Sequence, residues 1–318
     1  MKAVRCSSGR IEVQDVPAPR GEGVRVRVAS AGICGSDLHL IAAPVPLPHT
    51  LGHELAGTLD DGTPVAIEPI APCGSCDSCE RGAYNLCRSG TGIIMGIGRD
   101  GGMSEEILVP ERCLVPLARN IAVRDACLVE PLAVALHGLR LVGVGPSTRV
   151  AVVGGGTIGL CAVAAARWLG ADTHLEARHD SQRAAGARLG AVFSGGEFDV
   201  VIDAAGTPSA LEKAVAFGRP GATLLLLATY WDGFSPPAFP LCLKEIRIVP
   251  SSLYDRSETE RDVDAAARLL AEQPEIARTL ITHRFPLEGA GEAFSVAADR
   301  SQGAIKVVLE PGGGGDVR

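Results

Sequence analysis

The first 118 or so residues alternate short hydrophobic-polar runs with turns rich in glycine and proline. Residues 24–28 read Val-Arg-Val-Arg-Val and residues 64–67 read Pro-Val-Ala-Ile. A period of two marks half-buried strands, so this part predicts a compact β-rich domain. Over residues 125–142 the apolar positions recur at helical spacing, which predicts a helix leading into a second domain. An apolar strand at 149–153 then runs into Gly154-Gly155-Gly156-Thr157-Ile158-Gly159, and a helical stretch follows. Near-continuous apolar runs at 198–203 and 222–227 end in small residues, as buried parallel strands do. Helical segments at 209–217 and 258–272 alternate with them and predict a doubly wound α/β sheet. Residues 281–311 return to a β pattern that closes on a strand at 305–309.

Composition narrows the class. A chain of 318 residues exceeds one ordinary core and predicts two domains. With 46% hydrophobic and 21% charged residues it reads as globular rather than disordered. A net charge of -7 disfavours nucleic acid or an anionic membrane as partner. No basic, apolar-cored leader opens the sequence, and its longest apolar run, 150–166, is broken by three glycines, so neither a signal peptide nor a membrane span is expected. Ten cysteines in such a chain, four of them clustered, point to reduced thiols and metal ligation, with the cytoplasm as compartment.

Two constellations carry metal chemistry. Cys34 and His53, with Ser36, Asp37, His39 and Glu54 close in sequence, offer the thiolate, imidazole and carboxylate that Zn²⁺ favours. Cys73, Cys76, Cys79 and Cys87 follow a C-x2-C-x2-C-x7-C spacing that can close a tetrahedron around a structural zinc. A nucleic-acid zinc knuckle would need basic and aromatic interleaving, which this lobe lacks.

The glycine-rich turn carries cofactor chemistry. Between a strand and a helix, Gly154, Gly156, Thr157, Ile158 and Gly159 form the dinucleotide fingerprint, with the pyrophosphate at the helix N-terminus. An acidic residue at the end of the next strand, 173–177, would select NAD, whereas an arginine there accommodates a 2′-phosphate. Aligned from Gly170-Ala171 before it and Leu189-Gly190-Ala191 after it, the strand has Ala177 at that position, followed by Arg178 and His179. This favours NADP(H) over NAD(H). A shift of one residue would restore Glu176 and NAD, but period-two alternation turns Glu176 to the opposite face.

The stretches G-I-C-G-S-D-L-H at 32–39 and G-H-E-L-A-G at 52–57 resemble the zinc-dependent medium-chain dehydrogenases, the family of alcohol, polyol and threonine dehydrogenases. The resemblance implies a GroES-like β-rich catalytic domain at 1–120, completed by 284–312, a Rossmann dinucleotide-binding domain at 121–283, and a disordered tail at 313–318. It implies two zinc ions per chain: a catalytic one at Cys34 and His53, with Glu54 and Glu130 as ligands or bordering groups, and a structural one at the four-cysteine lobe. Ser36 and His39 would move protons, and Asp37 would fix the loop. Gly206 would join the cofactor contacts, and Lys306 would meet the pyrophosphate or be a solvated strand charge. A helix-start carboxylate is the other reading of Glu130, and His137 reads as structural.

The expected activity is hydride transfer between NAD(P)(H) and a small-molecule alcohol or polyol, or the reverse on a carbonyl, by a homodimer or homotetramer. Gly35 stands where some alcohol dehydrogenases have an arginine, and the loop holding Pro44, Pro46 and Pro48 reshapes one wall of the substrate cleft. Tyr230 and Trp231 fit substrate stacking, a core or an interface equally well. Two other readings stay open: a dinucleotide-binding protein of the same fold that has lost catalysis, and a zinc-independent enone reductase. The second lacks both the cysteine lobe and the metal motif.

Overall fold

A computed structural model describes residues 1–7, 9–43, 47–193, 195–231, 233–257 and 259–312. The tail expected at 313–318, and Pro44 and Pro46 of the expected cleft loop, lie outside the described residues. The chain forms two compact units, Met1–Glu130 with Asp255–Arg318, and Pro131–Tyr254.

In the first unit, β1 (Lys2–Ser7) and β2 (Arg10–Asp15) make an antiparallel hairpin. The long strand β3 (Val24–Gly32) is followed by α1 (Gly35–Ala42), β4 (Glu54–Thr58), β5 (Pro64–Ile67), a single turn α2 (Asp77–Glu80), β6 (Glu106–Val109) and β7 (Leu114–Pro116). Along β3 the predicted alternation appears as buried Val26 and Val28 flanking exposed Arg27. Helix α3 (Val129–Leu141) carries the chain onward; the stretch before it, Val123–Leu128, winds as a 3₁₀ helix.

The second unit runs β8 (Arg149–Val153), α4 (Thr157–Trp168), β9 (Asp172–Glu176), α5 (Asp180–Arg188), β10 (Phe198–Asp203), α6 (Pro208–Phe217), β11 (Gly218–Leu226), α7 (Ala238–Leu243) and β12 (Arg247–Pro250). Its strands pair all-parallel in the order β12-β11-β10-β8-β9. Both faces of β10 are covered, because five of its six residues are buried and only Asp199 is partly exposed. That burial explains its unbroken apolar pattern.

The chain then returns to the first unit as α8 (Asp262–Glu272), α9 (Glu275–Leu280), β13 (Ile281–Pro286), α10 (Ala290–Ala298) and β14 (Lys306–Glu310). The helical segment expected at 258–272 among the helices of the parallel sheet instead packs as α8 on β7. The physical reason is Arg261 at its N-cap, which donates to Glu68 at 3.1 Å and to the carbonyls of Arg112 and Leu114. These anchors belong to the first unit, and local periodicity does not register them.

The first unit's large sheet has the order β13-β14-β3-β4-β5-β7, with β6 also on β3. Gly32 is its junction, paired with Glu54 on β4 and with Val308 on β14. A Cβ on Gly32 would stand 2.1 Å from Glu54 Oε2, so only glycine lets the three strands close there. Cys34, Glu54 and Lys306 are thereby brought together from three distant stretches of sequence. Among the described residues no helix is long and apolar enough to cross a membrane.

Candidate active site

Cys34 sits at the N-cap of α1, and Asp37 reaches back to accept its N–H at 2.9 Å, one half of a capping box. This fixes the thiol at the end of β3. His53 and Glu54 arrive at the start of β4, and ligand atoms of Cys34, His53 and Glu54 all lie within 4.8 Å of one another. The imidazole has a polar neighbour on each side. Its Nδ1 lies 3.5 Å from Asp37 Oδ1, too poorly aligned for a hydrogen bond, and its Nε2 lies 3.4 Å from Ser36 Oγ.

Burial alone would lower the His53 pKa, but the Asp37 carboxylate and the Cys34 thiolate outweigh it, with Glu130 adding to them, and hold it well above the ordinary imidazole value. A thiolate and carboxylates thus face the ring, a donor set that suits a metal cation. Burial raises the Asp37 carboxyl above its usual value despite the facing imidazole. Glu130 is buried at 6% exposure and close enough to act on His53 electrostatically, but it stands outside the three-residue cluster. His39 lies exposed in the last turn of α1.

Lys306, considered above as a pyrophosphate cation or a solvated strand charge, is 2% exposed. Its Nζ donates to Glu54 Oε2 at 2.5 Å and to the Ile33 carbonyl at 3.0 Å. A solvated charge it is not. The ammonium is committed to the carboxylate of the cluster, and Glu54, itself 1% exposed, has one oxygen on the lysine.

The four cysteines of the lobe are free thiols whose sulfurs also lie within 4.8 Å of one another. Three of the separations are 3.5, 3.5 and 3.8 Å. Four thiolates about 2.3 Å from a central zinc would stand about 3.8 Å apart, so the cage is the right size for that ion. Backbone N–H groups of Ser75, Arg88 and Cys73 hold the thiols of Cys73, Cys76 and Cys87, respectively, below the usual value. Between Cys79 and Cys87, Tyr84 donates its hydroxyl to the buried Glu68 at 2.6 Å, which ties the lobe to β5 and Arg261.

In the second unit, β8 ends in the glycine-rich turn and α4 begins at Thr157 with Gly156 as its N-cap. The N–H of Gly154 donates to the Glu176 carbonyl at 2.9 Å. A Cβ on Gly159 would lie 1.8 Å from the Gly154 carbonyl oxygen, so the tight turn and the helix start exclude any larger residue. The carboxylate of Glu176 is ion-paired with Lys213 on α6. Ala177 is buried against the turn, where a Cβ on Gly155 would lie 2.8 Å from its methyl group. Arg178 is exposed and His179 is the N-cap of α5. Arg183 braces this corner by donating to the carbonyls of Ala177 at 2.6 Å and Arg178 at 3.2 Å.

Two residues of this unit escaped the sequence reading. Gln182 is 6% exposed and packs at Gly155. Asp203, fully buried at the end of β10, accepts N–H groups from Ala205 at 2.8 Å and Gly206 at 3.0 Å. Its signal was present: a lone carboxylate closing an apolar run needs partners.

A β-rich unit with a thiolate–imidazole–carboxylate cluster, and a separate parallel sheet with a glycine-rich strand–turn–helix, define the class of two-domain dinucleotide-dependent oxidoreductases. The profile of the alcohol dehydrogenase GroES-like domain matches residues 20–119. The L-galactonate-5-dehydrogenase of Escherichia coli (strain K12) is 31% identical, over 93% of this chain and 94% of that protein. Among solved structures, a zinc-binding dehydrogenase fold from Sinorhizobium meliloti 1021 bound to NADP has a TM-score of 0.85 at 30% identity, covering 98% of this chain and 99% of that one. An alcohol dehydrogenase from Escherichia coli CFT073 complexed with NADH has a TM-score of 0.84 at 26% identity, again covering 98% and 99%. The chain belongs to the zinc-dependent medium-chain dehydrogenase/reductase family, and is an NAD(P)-binding oxidoreductase of that family.

Proposed function

We propose that this chain transfers hydride between NADP(H) and a hydroxyl of a polyol or sugar-like alcohol, with a catalytic zinc at Cys34, His53 and Glu54. The observation that carries the reading is the convergence of those three ligand atoms within 4.8 Å, with the Ser36 hydroxyl on the His53 ring. Zinc bound there would act as a Lewis acid on the substrate oxygen. The remaining chemistry belongs to side chains. Ser36 accepts the proton leaving the substrate hydroxyl, and His39, three residues on along the same face of α1, delivers it to water. Asp37 faces the His53 ring from behind at 3.5 Å and acts on it electrostatically. Glu130 borders the site and adds to its negative potential, and Lys306 orients Glu54 by donating to its Oε2.

A second zinc in the cage of Cys73, Cys76, Cys79 and Cys87 is structural, since four thiolates leave no open position. The similarity to an L-galactonate-5-dehydrogenase at 31% identity supports a sugar-derived substrate. Ten free cysteines support a reducing compartment, the cytoplasm. Assembly into a homodimer or homotetramer is part of the same proposal, supported by exposed Phe239 and Leu243 on α7.

NADP preference rests on the Glu176–Lys213 ion pair, which draws that carboxylate away, and on Ala177 facing the glycine-rich turn with Arg178 beside it. Ala177→Asp is expected to reverse the preference. A carboxylate there accepts the ribose hydroxyls of NADH and repels a 2′-phosphate, a charged hydrogen-bond difference of about 1.5–3 kcal/mol or about 10–100-fold in relative affinity. Fluorescence titration of both proteins with NADPH and NADH reads it. Tighter NADH binding by the wild type would instead assign the ribose to Glu176. Tight binding of both nucleotides with no turnover of any alcohol would favour the non-catalytic reading.

A further inference from the structure

Tyr230 lies beyond β11, 27 residues from Asp203, and its hydroxyl donates to Asp203 Oδ2 at 2.8 Å. Asp203 is fully buried at the carboxyl end of β10, and both carboxylate oxygens and its carbonyl are engaged. Oδ1 accepts the N–H groups of Ala205 and Gly206, which fixes the turn leaving β10. Its carbonyl accepts the N–H groups of Leu227 and Ala228, both at 3.0 Å, which fixes the turn leaving β11. The two turns touch: a Cβ on Gly206 would lie 3.0 Å from the Ala228 methyl and 3.3 Å from the Thr229 carbonyl oxygen. Tyr230 closes this arrangement from the far end, with its ring packed edge-on against Phe234 at 4.8 Å. Burial next to the Asp203 carboxylate raises the Tyr230 pKa far above the usual phenol value, so the hydroxyl stays a donor.

In a doubly wound sheet the two mononucleotide halves of a dinucleotide lie over the carboxyl ends of the strands on either side of the switch point. Here the adenosine half falls to β8 and β9, with the glycine-rich turn and Ala177. The other half falls to β10 and β11, over the two turns that Asp203 joins. We propose that Tyr230 is a positioning residue whose hydrogen bond to Asp203 clamps these two turns into the surface that receives the nicotinamide half of the cofactor. The inference rests on the reading of this unit as the cofactor domain. The glycine-rich turn is held independently, through the Gly154 N–H on the Glu176 carbonyl and the start of α4. Loss of the clamp therefore weakens one half of the cofactor site and spares the other.

The test is calorimetric or fluorescence titration of the full chain and Tyr230→Phe with NADPH, NADH, AMP and adenosine 2′,5′-bisphosphate. Tyr230→Phe keeps the ring and removes only the donor. The expected result is about a tenfold rise in Kd for the dinucleotide that the wild type prefers, with the adenosine ligands bound as before. Unchanged affinity for all four ligands, or equal weakening of all, would overturn the proposal, since a purely structural role predicts no division between the halves. Should Tyr230→Phe fail to fold, Phe234→Ala takes its arm, because it removes the ring that seats Tyr230 and so loosens the hydroxyl from Asp203 without changing either residue. The same division between ligands is expected, and its absence contradicts the clamp. If the wild type binds none of the four nucleotides, the cofactor-domain reading falls and the clamp with it.

Discussion

Cys34→Ala and His53→Ala should each lower the rate of alcohol-dependent NADP⁺ reduction by about a thousandfold or more, while leaving NADPH binding nearly intact. The magnitude follows from the role proposed for the cluster. A Lewis acid at the substrate oxygen supplies several kcal/mol of transition-state stabilisation, and about 4 kcal/mol is a thousandfold in rate. Neither residue is replaceable from nearby, because Asp37 is committed to the Cys34 N–H and Glu54 is shared with Lys306. The spared nucleotide affinity follows from the separate location of the glycine-rich turn, in the unit Pro131–Tyr254. Steady-state rates paired with NADPH titration measure both quantities. A variant that keeps a tenth or more of wild-type turnover would remove Cys34 or His53 from the chemistry.

The second large effect is on stability. Lys306→Met is expected to destabilise the protein by about 3–5 kcal/mol, the cost of leaving one member of a buried ion pair uncompensated. The ammonium and the carboxylate are 2% and 1% exposed, and the Ile33 carbonyl accepts a second lysine proton, so no solvent route relieves the stranded Glu54. The double variant Lys306→Met/Glu54→Leu, apolar and of similar volume, should recover most of the loss, because a buried pair gains little over a well-packed apolar substitute. Denaturant unfolding of the three proteins compares them on one scale. A solvated strand charge would give a change within about 0.5 kcal/mol, and that outcome would contradict the buried pair.

The same lysine marks the limit of what the sequence revealed. Its position in a terminal strand was readable, but its partner lies 252 residues away and is brought to it by the register of three strands at Gly32. Short-range pattern carries no record of such a pairing. By contrast, the four-cysteine cage, the Cys34 and His53 stretches and the glycine-rich turn were legible, because each packs its chemistry into a few consecutive residues whose spacing is itself the signal. The parallel strands were legible for a related reason, since burial on both faces leaves an unbroken apolar run such as Val200-Val201-Ile202.

Helix α8 shows the opposite case. Its amphipathic period was visible, but the choice between packing on the parallel sheet and packing on β7 is made by Arg261, Glu68 and two carbonyls far apart in sequence. Alternation at the end of β9 did carry information. It turned Glu176 away from the face of Ala177, but the ion pair of Glu176 with Lys213 on α6 lay outside its reach. Tyr230 could be read only as an aromatic residue after a strand; its bond to Asp203 depends on β10 and β11 lying side by side.

The central claim is a catalytic metal at Cys34, His53 and Glu54 separate from a structural one in the cysteine cage. Elemental analysis of the purified wild type and of Cys34→Ala, each in parallel with its protein concentration, tests it most directly. About two zinc ions per wild-type chain and about one in a folded Cys34→Ala variant is the predicted result. The same zinc content in both proteins, or a wild type that binds nucleotide and turns over an alcohol without zinc, would contradict it.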